Sequence, residues 1–280
     1  HLGSFFWAFF WDLMPIKIEY FGRLFYVFLF IFSIFYICHN NLRDKFINNV
    51  IFILIILVSY AYHRFSGLQG ILIFSFLVII SKYFFLLKNS HNTRYVFFIV
   101  LACNLMIWFK SEGIAYTTII ILLLNFSTYI SKKIKIYSNL SYIGIIILKI
   151  IIYKYFDFTL NAQPYYLDYI FNLKFPIILH KLSFIIPFLF YYSLINIFFV
   201  AGFIILVALN LQKKFHDYIK ILNYYFILNL IFIFCAYLLR EHEIEHFVRT
   251  TMKRTIFTSS GFYVFLIINF LKNLNKTFLK

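Results

Sequence analysis

The chain is written as a succession of apolar runs, most of them roughly 17–25 residues long, separated by short polar or charged connections. That is the length an α-helix needs to cross the hydrocarbon core of a bilayer. Lipid offers a bare backbone no hydrogen-bonding partner, so runs of this kind must close their hydrogen bonds internally as helices. The pattern predicts an all-α polytopic membrane protein. Nine spans are expected, over roughly 22–38, 46–62, 67–87, 95–109, 114–130, 138–156, 183–210, 218–239 and 256–271. No internal repeat and no soluble domain is visible, so residues 1–280 read as a single transmembrane domain.

Residues 1–21 carry Trp7, Trp11, Asp12, Pro15, Lys17 and Glu19 among apolar residues. They are too interrupted to span and read as a helix lying in the interface, where Trp is at home. The longest break, 157–182, holds Pro164, Pro176 and the cluster Tyr165, Tyr166 and Tyr169. It reads as an extracytoplasmic loop, either a lid or a tyrosine-rich interface segment. Cys38, Cys103 and Cys235 are far apart in apolar runs, without metal or disulfide spacing, and are expected to be small buried hydrophobes.

Charge sorts the connections. The chain has 26 Lys and Arg against 10 Asp and Glu. In a soluble protein that excess would point to nucleic acid. In a polytopic one, Lys and Arg collect in cytoplasmic loops, and no nucleic-acid partner is expected. Alternate connections (40–45, 88–94, 131–136, 212–220 and the C-terminal tail, with Lys82) hold fourteen basic residues and only Asp44 and Asp217 among the acids. That side is predicted to be cytoplasmic, with the C-terminus on it. The opposite side carries the other eight acids, so every candidate for chemistry falls on one extracytoplasmic face.

The densest charge in the chain is His242 to Arg254. His242-Glu243-Ile244-Glu245-His246 matches the H-E-x-x-H pattern that holds zinc on a helix. No third ligand stands at useful spacing, and no metal is assigned. An anion is the better fit. Arg249 and Lys253 are four apart and share a helix face, and Arg254 and His246 lie close by. Guanidinium forks match phosphate oxygens bidentately, although headgroup snorkelling would use the same residues. Lys110-Ser111-Glu112-Gly113 makes a tight polar break, readable as a turn with its own ion pair or as a pocket wall. Glu19 and Arg23, four apart at the start of a span, could pair with each other or leave Arg23 to a headgroup phosphate.

These residues also carry a resemblance. Glu19, Arg23 and Leu24 fit the Glu-x-x-x-Arg-Leu-Pro pattern of GT-C-type membrane glycosyltransferases, with Phe25 in place of Pro. Lys110-Ser111-Glu112-Gly113 is similar to their Lys-Asn-Glu-Gly. His246, Thr250, Thr251 and Arg254 resemble their Trp-His-x-x-Thr-Ser-x-x-Arg, with Glu245 at the Trp position and three residues rather than two between His and Thr. The relatives in question are the protein mannosyltransferases and lipid A aminoarabinose transferase, of the glycosyltransferase family 39 kind. The resemblance implies a transferase in a bacterial inner membrane. It would move a sugar from a polyprenyl-phosphate donor to a cell-envelope glycan or lipid. Arg23, His246, Arg249 and Arg254 would hold the lipid phosphate, and Glu19, Lys110 and Glu112 would line the pocket. The general base of such enzymes sits in the first loop. The chain opens on His1 rather than Met, so that carboxylate is expected upstream of residue 1. No cofactor is implied, and a divalent ion beside the phosphate stays open. Two other readings compete: a polymerase or ligase of the O-antigen type, and a transporter or non-enzymatic subunit of a membrane complex. Transporters place ionisable groups within spans near the midplane; here only Lys149 and Lys154 do so.

Overall fold

The computed structural model describes residues 8–9, 11–13, 20–39, 45–63, 68–90, 92–156, 175–211, 217–239 and 244–278. Among these there is no strand. The helices are α1 (Tyr20–His39), α2 (Lys45–His63), α3 (Leu68–Ser90), α4 (Arg94–Phe109), α5 (Glu112–Phe126), α6 (Lys132–Tyr155), α7 (Phe175–Ile195), α8 (Ile197–Leu211), α9 (Asp217–Leu238), the single turn α10 (Ile244–Phe247) and α11 (Lys253–Phe278). A π-helical turn, Val248–Met252, joins α10 to α11.

Large apolar side chains face outward along the bundle. Phe28, Phe32, Phe97 and Phe190 are each about two-thirds exposed. In water such a surface would aggregate; against acyl chains it is the natural outer face. The fold is therefore that of an all-α polytopic membrane protein in contact with the bilayer.

Nine spans were expected; five helices among the described residues are long and apolar enough to cross a membrane, at 70–90, 132–155, 175–195, 218–238 and 244–271. Five further apolar stretches are only 10–17 residues long. Three of these, α4, α5 and α8, have 16, 15 and 15 residues, or about 22–24 Å at 1.5 Å per residue. α4 is capped at Lys110 and α5 at Ser127, polar breaks that hydropathy averages over.

Three other expectations change. The run 183–210 is not one span: the helix breaks at Asn196, between α7 and α8. The Asn196 side chain accepts a hydrogen bond at 3.1 Å from the Phe199 backbone N–H, which caps the new helix. The loop expected over 157–182 is helical from Phe175 onward; its earlier part lies outside the described residues. Cys38 and Cys103 are buried as expected, but Cys235 is exposed on the outside of α9. Of the interfacial helix expected over 1–21, the described residues are a turn closed by Leu13 N–H to the Phe9 carbonyl at 3.1 Å and Tyr20–Phe21, which already belong to α1.

Two helices form the centre. In the most apolar stretches of α3 and of the segment containing α11, 72% of residues are buried; in α6 and α7 only 11% are. Small residues let α11 sit there. It runs Thr255-Ile-Phe-Thr258-Ser259-Ser260-Gly261, and a methyl group added at Gly261 would stand 2.5 Å from the Phe74 carbonyl oxygen of α3. Close backbone approach of this kind substitutes for the hydrophobic effect, which gives no drive between helices in lipid. The Phe74 and Phe257 rings stack beside the contact, 4.7 Å apart. The hydroxyls of Ser259 and Ser260 fold back onto the carbonyls of Ile256 and Phe257 at 2.9 and 2.7 Å, so they are satisfied within the helix.

Helix ends inside lipid must also satisfy their last carbonyls. Here neighbouring lysines do it. Lys149 on α6 donates to the Ile107 carbonyl in the last turn of α4 at 2.6 Å. Lys135 on α6 donates to the Asn125 carbonyl at the end of α5 at 2.6 Å. Lys181 on α7 donates to the Leu238 carbonyl at the end of α9 at 3.0 Å. Each cation also meets the negative end of a helix dipole. Reciprocal amide pairs add to this, Asn210 with Asn223 (3.0 Å both ways) and Asn125 with Asn139 (3.0 and 3.2 Å). Interhelical hydrogen bonds in membranes are worth about 0.6–2 kcal/mol. Asn223→Leu is accordingly expected to lower the unfolding free energy in detergent by about 1 kcal/mol. An unchanged midpoint in a denaturant titration would show the Asn210 pair to be energetically idle.

Candidate functional site

The charged connection after α9 is built as a short ladder. Glu245 accepts from Arg249 Nη2 at 2.7 Å, one turn on, and both side chains are at least half exposed. An exposed pair of this type adds little stability, about 0–1 kcal/mol. Its effect is to fix the direction of the guanidinium, which also lies over the Phe188 ring of α7 at 5.5 Å from the centroid. His246 is exposed on the same turn.

The π turn follows from the threonines. Thr250 and Thr251 donate to the carbonyls of His246 and Phe247, both at 2.8 Å, and Thr255 to that of Thr251 at 3.2 Å. Such back-bonding competes with the backbone ladder and bends it. The Tyr192 hydroxyl of α7 donates to the Arg249 carbonyl at 3.2 Å from outside the turn. Widened turns of this sort occur mostly as single insertions, often at functional sites. Arg254 follows directly, half-buried at the start of α11.

The second patch is the turn between α4 and α5. Lys110 Nζ donates to Glu112 Oε2 at 2.7 Å, with both side chains about one-third exposed or less. Gly113 makes the turn possible, since a Cβ there would overlap the Met106 carbonyl.

Two tyrosines join the patches. Tyr116, one turn beyond Glu112, donates to the Thr255 carbonyl at 3.2 Å. Tyr237, near the end of α9, shares hydrogen bonds with Thr251 Oγ1 at 2.8 Å and Thr255 Oγ1 at 3.1 Å. Lys110–Glu112 and Arg249–Arg254 are therefore fastened to one end of the bundle, although some 140 residues separate them in sequence. Lys149 and Lys181 reach the same end of the bundle but are committed to helix carbonyls.

Other candidates fall outside. Glu19, His242 and Glu243 lie outside the described residues, as does the side chain of Arg23. Among the described residues no three His, Cys, Asp or Glu side chains converge to hold a metal ion. The sequence reading did not find Tyr116, Tyr192 or Tyr237. The available signal was Tyr116 at four residues from Glu112, on the same helix face.

The helices and their outward apolar faces define a polytopic α-helical membrane protein with a charged cluster at one end. Comparison of the chain with protein families, with curated proteins and with solved structures found no match.

Proposed function

We propose that the charged end binds the phosphate of a polyprenyl-linked sugar, and that the chain is a membrane glycosyltransferase of the GT-C kind. The sugar would pass to a cell-envelope glycan or lipid. One observation carries this reading: the Tyr116–Thr255 hydrogen bond fastens together the two patches, 110–113 and 246–254, on which the resemblance rests. A cluster of Arg, Lys and His beside lipid suits a leaving lipid phosphate, whose developing charge needs fixed cations in a low dielectric. In the same reading α1, α2, α4 and α5 also cross the bilayer, which with the five long helices gives nine crossings. The charged end is then extracytoplasmic and the C-terminus cytoplasmic, in a bacterial inner membrane.

A second reading has its own observation. Lys110 and Arg249 are each already paired with a carboxylate at 2.7 Å, so two of the cations the phosphate would need are engaged within the chain. That favours a non-enzymatic subunit whose charges organise a helix end.

The test uses the full chain in lipid nanodiscs, titrated with polyprenyl phosphate and with the uncharged polyprenol. The phosphate is expected to bind at least tenfold tighter. Arg254→Gln is expected to remove most of that difference, since a hydrogen bond to a charged group is worth about 1.5–3 kcal/mol. Equal binding of the two lipids would overturn the phosphate site and leave the subunit reading. Phosphate-selective binding would retain the site, and sugar transfer from a loaded donor would carry the transferase reading with it.

A further inference from the structure

The opposite end of the bundle carries a different feature. An open groove of about 390 Å³ runs along the outside between α4 and α6, lined by Thr93, Val96, Phe97, Val100, Leu101 and Asn104 on one side. Ile134, Tyr137, Ser138 and Ser141 close the other side. From Thr93 to Asn104 it extends about 16 Å at the rise of an α-helix, a length that accommodates much of a fatty acyl tail.

Its chemistry is graded. Three polar members bond within the protein: Ser138 donates to the Ile134 carbonyl at 3.0 Å, and Ser141 accepts from Asn104 Nδ2 at 3.4 Å, while Thr93 is exposed at the mouth. What remains for an occupant is mainly methylene and ring surface. At the mouth, where α4 and α6 begin, the character changes. Arg94 adjoins Thr93 and is exposed, and Lys132 and Lys133 precede Ile134 and are exposed. Lys133 lies 5.9 Å from the centroid of the Tyr137 ring, itself more than half exposed. A Tyr with basic neighbours is the pairing found at the headgroup level of a bilayer. Asp and Glu are missing from the sequence between residues 45 and 111, and again between 113 and 156, so no carboxylate on α4 or α6 offsets this charge.

We propose that the α4–α6 groove is a binding site for one anionic phospholipid. An acyl tail would lie along Val96, Phe97, Val100 and Leu101, with the headgroup phosphate between Arg94 and Lys132. Charge complementarity selects this occupant over a neutral lipid. Basic residues near an anionic membrane surface contribute about fivefold in affinity each. It also selects it over a protein helix, which would leave the cations at the mouth unpaired. The site is independent of the one at the other end of the bundle.

The test is native mass spectrometry of the full chain, released from detergent after titration with phosphatidylglycerol or with phosphatidylcholine of the same acyl length. One phosphatidylglycerol is expected to be retained, at least tenfold more tightly than phosphatidylcholine. The double variant Arg94→Gln, Lys132→Gln is expected to bring the two lipids to within a few fold of each other. Leu101→Trp, which fills the groove from the lipid-facing side, is expected to abolish retention of both while leaving the helical circular dichroism unchanged. Equal retention of the two lipids by the unaltered chain would overturn the proposal. So would undiminished phosphatidylglycerol binding in either variant, or a lipid-free dimer that Leu101→Trp dissociates.

Discussion

Gly261→Ala is expected to lower the unfolding free energy by about 3 kcal/mol, while Gly144→Ala leaves it unchanged or raises it. The two substitutions add the same methyl group to helices of the same bundle. At Gly261 the new Cβ would stand 2.5 Å from the Phe74 carbonyl oxygen and 3.1 Å from its carbonyl carbon. Backbone cannot swing aside as a side-chain tip can, so α3 and α11 must separate. Overpacking of a tight core costs about 1–3 kcal/mol, and this contact belongs at the upper end because it is made by main chain on both sides. At Gly144, on α6, nothing lies within 4 Å. There only propensity remains, and Ala is better than Gly in a helix by about 1 kcal/mol. Denaturant titration in a fixed detergent, followed by circular dichroism, reads both. Equal effects at the two positions would mean that α3 and α11 do not approach as closely as described.

The second large effect is expected at Lys149. Lys149→Glu replaces a donor to the Ile107 carbonyl with an acceptor facing an acceptor. It also leaves a carboxylate without a cation among apolar helices. Both residues carry a charge, so the cost of burying one is common to them; the difference is the lost bond to a charged donor, about 1.5–3 kcal/mol, and a carboxylate set against a carbonyl oxygen. Little monodisperse protein is expected from this variant. Lys149→Arg keeps the donor and is expected to be close to the unaltered chain. Lys149→Met removes the bond but also the buried charge, so it should fall between them. Size-exclusion profiles and thermal midpoints of the three variants give the order. If Glu were tolerated as well as Met, the lysine would be facing lipid headgroups rather than closing the end of α4.

Much of the architecture was legible because the bilayer imposes it. Length and hydropathy marked α1 to α5 and α9 to within about four residues, whereas α6 begins six residues earlier and α11 ends seven residues later than expected. The break at Asn196 was not legible in the same way. Hydropathy averages a single amide away, and the relevant property is its ability to cap a helix, which the Phe199 N–H reveals only once the chain is folded. The centre was hidden for a related reason. In lipid, both the core and the outer face are apolar, so burial leaves no amphipathic stripe in the sequence. What distinguished α11 was its run of small residues from Thr258 to Gly261, a packing signal rather than a hydropathy signal. At the site, charge drew attention to Lys110, Glu112, Arg249 and Arg254. The tyrosines that connect them could not be picked out from a chain holding 23 of them.

The position of the two central helices in the chain has a consequence for timing. α3 ends at residue 90 and α11 begins at 253, so its closest packing partner is missing until about 160 further residues have been made. At the usual 5–20 residues per second that interval is on the order of 10–30 s. During it the side of Phe74 that will meet Phe257 and Gly261 stays uncovered by α11. The intervening helices are threaded into the membrane before the middle of the bundle exists, and a helix made long after α3 is the one that completes it.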